Sequence, residues 1–349
     1  MTERVFVVGM GASTPVGRGA WESAAAVRAG ISGFTDHPYM IDTAGERMRA
    51  AIAPWLDVGL QGVERFEALL FPAIDEAMAA VTAPVAARWA IALGLPSARP
   101  GLEGDMAQQL MKRIAARHQS TFGGAAVFQA GHAAGLLGLQ AALARLEQGA
   151  LDACVVAGVD SWVHADTLEW LERNDQLHGA GRLNNAWGFI PGEAGAALLL
   201  MGERAVHATG LEPLARVLGV GTAQEPNRIK TKTVCIGEGL TAAFRDALVA
   251  MPQGEKVSDI YCDLNGEPYR ADEFGFTALR TKEHFESASD FVAPADCWGD
   301  VAAAGSLLHV MLACAAGHKN YAKGQLAFVW ASSEMGERAA ALLGVGGEG

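Results

Sequence analysis

The sequence predicts an α/β protein with buried sheets that is built from two similar halves. Short apolar runs alternate with stretches that carry apolar residues at helical spacing, as in sheets whose two faces are covered by helices. A helix, a turn and a strand at residues 69–97 are matched by the same layout at 239–267. A polar residue that opens an apolar helix ending at glycine occurs at 132–149 and again at 300–317. This separation is far too long for a solenoid repeat and indicates a duplicated α/β half.

The division between the halves is predicted near residues 205–212, which gives an N-terminal half of 1–205 and a C-terminal half of 206–349. Short apolar runs predict strands at 4–10, 87–95, 152–159, 195–201, 214–223, 258–264 and 325–332. Helical spacing predicts helices at 19–29, 64–80, 104–117, 133–148, 237–250 and 300–316. Residues 34–62 are interpreted as an excursion from the first half that faces a partner. Residues 267–292 are interpreted as polar and irregular.

Composition excludes several classes of function. The formal net charge of −12 argues against nucleic acid as a partner, because neutralising phosphates requires clustered Lys and Arg. No apolar run is long enough to span a membrane, and the first apolar stretch is too short for a signal-peptide core. The cysteines are scattered without a Cys-x-x-Cys pair, which indicates neither a disulfide framework nor a zinc site. They are Cys154, Cys235, Cys262, Cys297 and Cys314. We therefore expect reduced thiols in a cytoplasmic protein that binds no metal.

Two glycine-rich segments are interpreted as structural. The segment "VVGMGASTPVG" follows the first strand, but Thr14 stands where a dinucleotide-binding loop needs its third glycine, and Pro15 follows it. We therefore expect a tight turn there and no nucleotide or other cofactor. Glu193 lies in a glycine-rich turn that leads into a buried strand. We expect its carboxylate to be satisfied by backbone N–H groups rather than to act in catalysis.

Three segments in the first half carry a family resemblance. Residues 5–34 are similar to the opening strand, turn and helix of the β-ketoacyl synthases, the condensing enzymes of the thiolase superfamily. The segment "LEQGALDACVVAGVDSW" resembles their Gly-x-x-Asp and Ala-Gly-Gly-x-Glu/Asp pattern, and "WGFIPGEAGAALLLM" resembles their Asp-Gly-Phe-x-x-Gly-Glu-Gly-Ala segment. The resemblance implies a thiolase-like fold, in which two similar halves form a five-layered α-β-α-β-α sandwich. It also implies a homodimer.

The same resemblance locates the family's catalytic positions, and this chain departs from the family at each of them. The acyl-accepting cysteine is matched by His132, the first catalytic histidine by Asn265, and the second by Asp300. These positions converge in the family, so we expect His132 and Asp300 to meet. The lysine expected before the second histidine is missing from residues 291–298. The Gly- and Phe-rich loop that gates acyl access is matched by residues 331–338, "ASSEMGER".

The lost groups are those that condensation requires. An imidazole holds no stable acyl thioester, and an asparagine does not exchange protons near neutral pH. We therefore predict a catalytically inactive accessory protein, such as an adaptor, with His132, Asn265 and Asp300 as vestigial positions. Two alternatives stay open: a repurposed acyl-thioester hydrolase or transferase that uses His132 and Asp300, and an inert, chain-length-factor-like partner of an active ketosynthase. A protein partner, either adaptor cargo or a ketosynthase, is favoured over acyl carrier protein or acyl-CoA.

Overall fold

The structure is a computed structural model that describes residues 3–81, 88–118 and 121–346. Its strands are β1 (Val5–Ser13), β2 (Phe34–Ile41), β3 (Arg47–Ala51), β4 (Trp89–Leu95), β5 (Phe122–Gln129), β6 (Ala153–Ser161), β7 (Glu193–Gly202), β8 (Ala215–Gln224), β9 (Asp259–Cys262), β10 (Leu326–Ser332) and β11 (Glu337–Gly344). Its helices are α1 (Ala20–Arg28), α2 (Gly62–Met78), α3 (Met106–Arg117), α4 (Ala134–Glu147), α5 (Ala165–Arg173), α6 (Glu203–Thr209), α7 (Glu238–Leu248), α8 (Pro268–Thr281), α9 (Ala295–Trp298) and α10 (Ala302–His318).

Within these residues, all strands except β2 and β3 belong to one mixed sheet with the order β5-β4-β6-β7-β1-β8-β11-β10-β9. The two halves of this sheet meet where β1 pairs with β8 over only three residue pairs. Outward from this junction, the N-terminal half-sheet runs β1, β7, β6, β4 and the C-terminal half-sheet runs β8, β11, β10, β9. In each half, these are the first, last, second-to-last and second strands that the half contributes to the main sheet, so the two halves have the same strand order. The N-terminal half-sheet then adds β5 at its edge. In the C-terminal half-sheet, an irregular segment that includes Phe285 and Val292 hydrogen-bonds to the β9 region instead.

Most of the apolar core belongs to three clusters, which fill the spaces between five layers of secondary structure. The central cluster contains α4 and α10, which pack against strands of both half-sheets. A second cluster lies under α2 and α3 on the outer face of the N-terminal half-sheet. A third lies under α7 and α8 on the outer face of the C-terminal half-sheet. Helix α10 is buried on all sides, as expected of a helix that is apolar all round. The predicted thiolase-like sandwich of two similar halves is therefore confirmed.

Close contact between the layers depends on small residues. A Cβ atom added to Gly158 in β6 would lie 2.5 Å from the carbonyl oxygen of Ala303, which is on α10. The strand can therefore approach the central helix this closely only where it has no side chain. None of the helices in the described part of the chain is both long enough and apolar enough to cross a membrane.

The structure corrects several sequence-based expectations about single elements. Residues 267–292 are not irregular throughout, because α8 occupies Pro268–Thr281. Residues 34–62 contain the β2–β3 ladder and end where α2 begins. Strand β5 was not predicted, since its glycines and exposed positions hide the apolar pattern of a buried strand. The segment at 331–338 is the tight connection between β10 and β11 rather than an extended loop.

Candidate functional site

His132 stands at the start of the central helix α4. It lies in a short 3-10 turn, Gly131–Ala133, that leads directly into the helix. Gly131 has φ +60°, a left-handed conformation that glycine adopts without steric cost. The backbone N–H of Ala133 donates to Oγ of Ser333 at 2.9 Å, and that hydroxyl donates to the carbonyl of Ala130. The connection between β10 and β11 therefore fixes the turn that carries His132.

Asp300 occupies the equivalent place ahead of α10 in the other half. Its backbone N–H donates to Ile190 O at 2.8 Å, and its carbonyl accepts from the N–H of Gly192 at 2.8 Å. Its carboxylate accepts from the N–H of Ala302 at 2.9 Å, in the manner of a helix-capping side chain. The backbone is thus held on both sides, and the carboxylate is directed at His132.

The three sequence-predicted site residues come together. Nε2 of His132 lies 3.0 and 2.9 Å from the two carboxylate oxygens of Asp300. Nδ2 of Asn265 donates to the same carboxylate at 2.6 Å. His132 and Asp300 are buried, whereas Asn265 is half-buried. The expected meeting of His132 and Asp300 is therefore observed, while the function of these positions stays a prediction.

Electrostatics make the Asp300 carboxylate ionised. Burial alone would raise its pKa, but the charges of His132 and Arg270 and the hydrogen bonds from His132 and Asn265 lower the pKa of Asp300 well below its ordinary value. A carboxylate only accepts hydrogen bonds, so Nε2 of His132 carries the hydrogen that lies between them. The ring is therefore oriented by Asp300 through its Nε2 atom.

A buried arginine, which the sequence analysis missed, completes this network. Arg270 in α8 is 1% exposed, and its Nη2 lies 3.2 Å from Nε2 of His132. Its Nη1 donates to Asp263 at 3.1 Å and to the carbonyl of Ser332 at 2.8 Å, and its Nε donates to Glu267 at 3.3 Å. A fixed cation thus stands beside His132. Its position, five residues after Asn265, was the only available signal, and spacing alone does not show that a helix residue points inward.

More charged residues that the sequence analysis missed extend the network toward the surface. Glu267 accepts from Nδ2 of Asn265 at 3.0 Å and from the hydroxyl of Tyr269. The ammonium of Lys230 lies 3.3 Å from Glu267 and also pairs with Glu334, which belongs to the β10–β11 connection. The position matched to the family's gate is therefore held by an ion pair in a tight turn.

No cysteine of this chain is prepared to act as a nucleophile. Burial raises the pKa of Cys154 and of Cys314 to about 12 and that of Cys235 to about 11. Burial also raises the pKa of Cys262 and of Cys297. Because the thiolate is the reactive form, all five thiols are weak nucleophiles near neutral pH.

Comparisons with known proteins agree with this architecture. A model of the β-ketoacyl synthase N-terminal domain matches residues 96–205. A similar solved structure is that of a type II polyketide-synthase acyl-carrier protein in complex with its ketosynthase bound to the hexaketide; the identity is 14%, 99% of this chain and 100% of that chain are covered, and the TM-score is 0.79. The ishigamide ketosynthase/chain length factor is 19% identical over 99% of this chain and 100% of that chain, with a TM-score of 0.79.

The chain therefore has the fold of the β-ketoacyl synthases, and residues 96–205 also match that family in sequence. The ketosynthase from module 6 of the bacillaene synthase of Bacillus subtilis 168 is also similar, at 14% identity over 98% of this chain and 72% of that chain, with a TM-score of 0.76. A search of curated protein sequences found no match. Identity this low establishes the fold alone, and the chemistry of this chain has to be argued from its own site.

Glu193, the buried glutamate in the glycine-rich turn before β7, has a structural role. It accepts from the backbone N–H of Ala53 at 2.9 Å and from the hydroxyl of Ser161 at 2.8 Å. Nε and Nη2 of Arg65 donate to its two oxygens at 2.6 and 2.7 Å. The carboxylate is therefore satisfied, as expected, although only one of its four hydrogen bonds comes from a backbone N–H group and two come from the buried guanidinium of Arg65.

Proposed function

We propose that this β-ketoacyl-synthase-like protein is a catalytically inactive accessory protein that acts by binding another protein. The observation that carries the proposal is the buried hydrogen bond between Nε2 of His132 and the carboxylate of Asp300, with Arg270 packed beside it. The position of the family's nucleophile is filled by a ring whose Nε2 is already bound to a carboxylate. The carboxylate of Asp300 accepts from His132, Asn265 and the backbone N–H of Ala302, so this network stabilises the fold without requiring a substrate.

Ordinary condensation is disfavoured because the thiol and both imidazoles that the resemblance implies are all replaced in this chain. Acyl transfer needs a thiolate, and decarboxylation needs donors aimed at a developing enolate. Asp300 supplies negative charge where the resemblance implies an imidazole. The amide of Asn265 is used by Asp300 and Glu267. Negative charge beside a developing enolate raises rather than lowers the energy of the transition state.

The hydrolase or transferase alternative has one supporting feature. Asp300 orients His132 as an aspartate orients the histidine of a hydrolytic triad. However, no hydroxyl or thiol in the described ranges hydrogen-bonds to His132. Oγ of Ser333 is engaged by Ala133 and Ala130 instead. The pair therefore lacks the nucleophile that would make it a triad.

The edge of the sheet supplies a surface for self-association. Strand β5, Phe122–Gln129, pairs only with β4 and carries no charged residue and no proline. Its Val127 is exposed, and most of its other positions are exposed or half-buried. An apolar edge strand of this length favours pairing with another strand, and two copies related by a two-fold axis can pair β5 with β5. We therefore propose a homodimer formed through β5.

The chain-length-factor-like role is the second candidate. It is supported by the similarity in fold to the ishigamide ketosynthase/chain length factor, which covers nearly the whole chain. In that role, β5 would pair with an active ketosynthase instead of a second copy. The free state of all five cysteines supports the proposed cytoplasmic location of either assembly.

Affinity capture from the source cells separates these roles. The full chain and its Val127→Lys variant are used as baits, with Val249→Lys as a control for an exposed charge at the end of α7. The accessory role predicts a stoichiometric partner that is not a ketosynthase. Recovery of a ketosynthase that Val127→Lys loses and Val249→Lys retains would establish the chain-length-factor-like role instead.

A further inference from the structure

A second group of acidic side chains lies outside the His132 network, where α7 and α8 approach the end of β8. Glu225 follows β8, Cys235 precedes α7, and Glu273 belongs to α8. One ligand atom from each of these three residues lies within 4.8 Å of the other two. The sequence analysis did not identify this group, because its members form no recognisable metal-binding motif and Glu273 belongs to a different helix.

Glu225 is a buried carboxylate without a basic partner. Its side chain accepts from the backbone N–H groups of Asn227 at 3.1 Å and of Gly239 at 2.6 Å. Glu225 is 1% exposed, and no Lys, Arg or His of residues 3–81, 88–118 and 121–346 forms an ion pair with it. Within the described residues, the hydrogen bonds to this carboxylate therefore come from backbone N–H groups.

Glu273 is fully buried and only half satisfied. Its Oε1 accepts from Nε of Arg338 at 2.6 Å and lies 3.6 Å from Sγ of Cys235. Its Oε2 is buried without a hydrogen-bond partner in the described structure. Nη2 of Arg338, on the guanidinium that donates to Oε1, is likewise buried without a partner in the described structure. Buried carboxylate oxygens are almost always paired with a donor or coordinated to a cation, so Oε2 is free to take a cation as a ligand.

We propose that Glu225, Cys235 and Glu273 bind one divalent, thiol-preferring cation, with Zn²⁺ as the best match. One sulfur and two carboxylate oxygens suit Zn²⁺, whereas Mg²⁺ and Ca²⁺ prefer sites whose ligands are all oxygens. The ionised group carries three negative charges, and Arg338 contributes one positive charge. A divalent cation therefore leaves the whole cluster neutral.

The geometry leaves room for exchange with solvent. Cys235 is half-buried, whereas both glutamates are buried, so the cation would enter and leave on the thiol side. Three protein ligands leave a fourth position for water, as in open zinc sites. Binding would hold the loop before α7 against α8, and this loop also contains Lys230, which pairs with Glu267 and Glu334.

The proton balance of the step is defined. In the metal-free protein, Sγ of Cys235 donates to Oε1 of Glu273 at 3.6 Å, so the thiol carries a hydrogen. Binding forms one Zn–S bond and two Zn–O bonds and releases the thiol proton to solvent, with no change of oxidation state.

The test is a titration of the reduced full-length protein with Co²⁺ and, separately, Zn²⁺. We expect one Co²⁺ per chain with a thiolate-to-cobalt charge-transfer band in the near ultraviolet, and displacement of Co²⁺ by one equivalent of Zn²⁺. Cys235→Ser should abolish the band, and Glu225→Gln should weaken Zn²⁺ binding by about tenfold or more. Cys297→Ser removes a thiol outside the cluster and should change neither result.

A measurement on the unmodified chain guards against variants that fail to fold. Zn²⁺ should slow the alkylation of Cys235 at least tenfold, as followed by peptide mapping, while the other four thiols react at unchanged rates. The proposal is overturned if no stoichiometric Co²⁺ or Zn²⁺ binds, if the band survives in Cys235→Ser, or if Zn²⁺ leaves the alkylation of Cys235 unchanged. None of these readouts depends on acyl-transfer activity.

Discussion

Nε2 of His132 lies within 3.0 Å of both carboxylate oxygens of Asp300, although the two residues are 168 positions apart in the chain. Each residue stands just ahead of one of the two central helices, α4 and α10. The ion pair therefore joins the two halves of the fold at the point where the resemblance places a thiol and an imidazole. Its consequences for stability and chemistry can be measured separately.

The Asp300→Ala substitution tests the contribution of this ion pair to stability. It should lower the free energy of unfolding by about 3–5 kcal/mol, because it removes the buried carboxylate to which His132, Asn265 and the backbone N–H of Ala302 donate. Urea unfolding followed by circular dichroism measures the loss. Asp290→Ala removes a carboxylate from an exposed ion pair with Lys323 and should have little effect. A double-mutant cycle with His132→Ala should show a coupling of about 1–3 kcal/mol, and additive effects would contradict the account.

The pH dependence of stability should reveal His309. Burial, followed by the charge of His132, lowers the pKa of His309 to about 3, whereas an unfolded histidine titrates near 6.5. The unfolded state therefore binds the extra proton, and stability is lost as pH falls below about 6.5. Between pH 7 and pH 5, His309 should account for a loss of about 2 kcal/mol.

The His309→Gln variant should reduce the slope of stability against pH, as measured by urea unfolding at a series of pH values. A smaller slope should remain, because burial also lowers the pKa of His37 and of His118. Asp300 does not contribute in this window: its pKa is lowered in the folded protein, so its stabilisation is complete above the ordinary carboxyl pKa of about 3.9 and is lost only below it. Equal slopes in the wild type and His309→Gln would show that the buried ring is not responsible.

Restoring a thiol alone should not restore a nucleophile. In His132→Cys, the start of α4 favours the thiolate, but the adjacent Asp300 carboxylate disfavours it. We expect the double variant His132→Cys/Asp300→His to react with iodoacetamide at pH 7 about tenfold faster than His132→Cys at that position. Equal rates would mean that the carboxylate does not control the charge of this site.

The exposed edge strand predicts a change in oligomeric state. Val127→Lys places a charge on β5 and should convert the proposed dimer into a monomer, because two such charges would meet across the two-fold axis. Sedimentation velocity measures the mass of the wild type and the variant. The Val249→Lys control should remain dimeric, and a monomeric wild type would rule out the proposed interface.

The sequence predicted the buried elements better than the edges. Strands β6 and β7 are apolar at nearly every position because both of their faces are covered, and this pattern is visible without a structure. Strand β5 alternates glycine, exposed and half-buried positions at the sheet edge, so its pattern is weak. Helix α8 begins at Pro268 and mixes charges with apolar residues, which concealed its helical spacing.

The candidate site shows the same limit. The motif resemblance located His132, Asn265 and Asp300, and the structure brings them into contact. Arg270 could not be found in this way, because an arginine in an amphipathic helix is usually exposed. Its burial results from contacts with Asp263, which precedes α8, and with the β10–β11 connection. Such long-range contacts are set by tertiary packing and leave no local sequence pattern.

Acyl transfer tests whether the network around His132 and Asp300 has replaced catalysis. The full-length protein is incubated with acyl-CoA and with acyl carrier protein, its intact mass is measured, and thioester loss is followed over time. We expect no covalent acyl adduct and the same rate of thioester loss as in His132→Ala. An acyl adduct, or turnover that disappears in His132→Ala, would show that the site is catalytic.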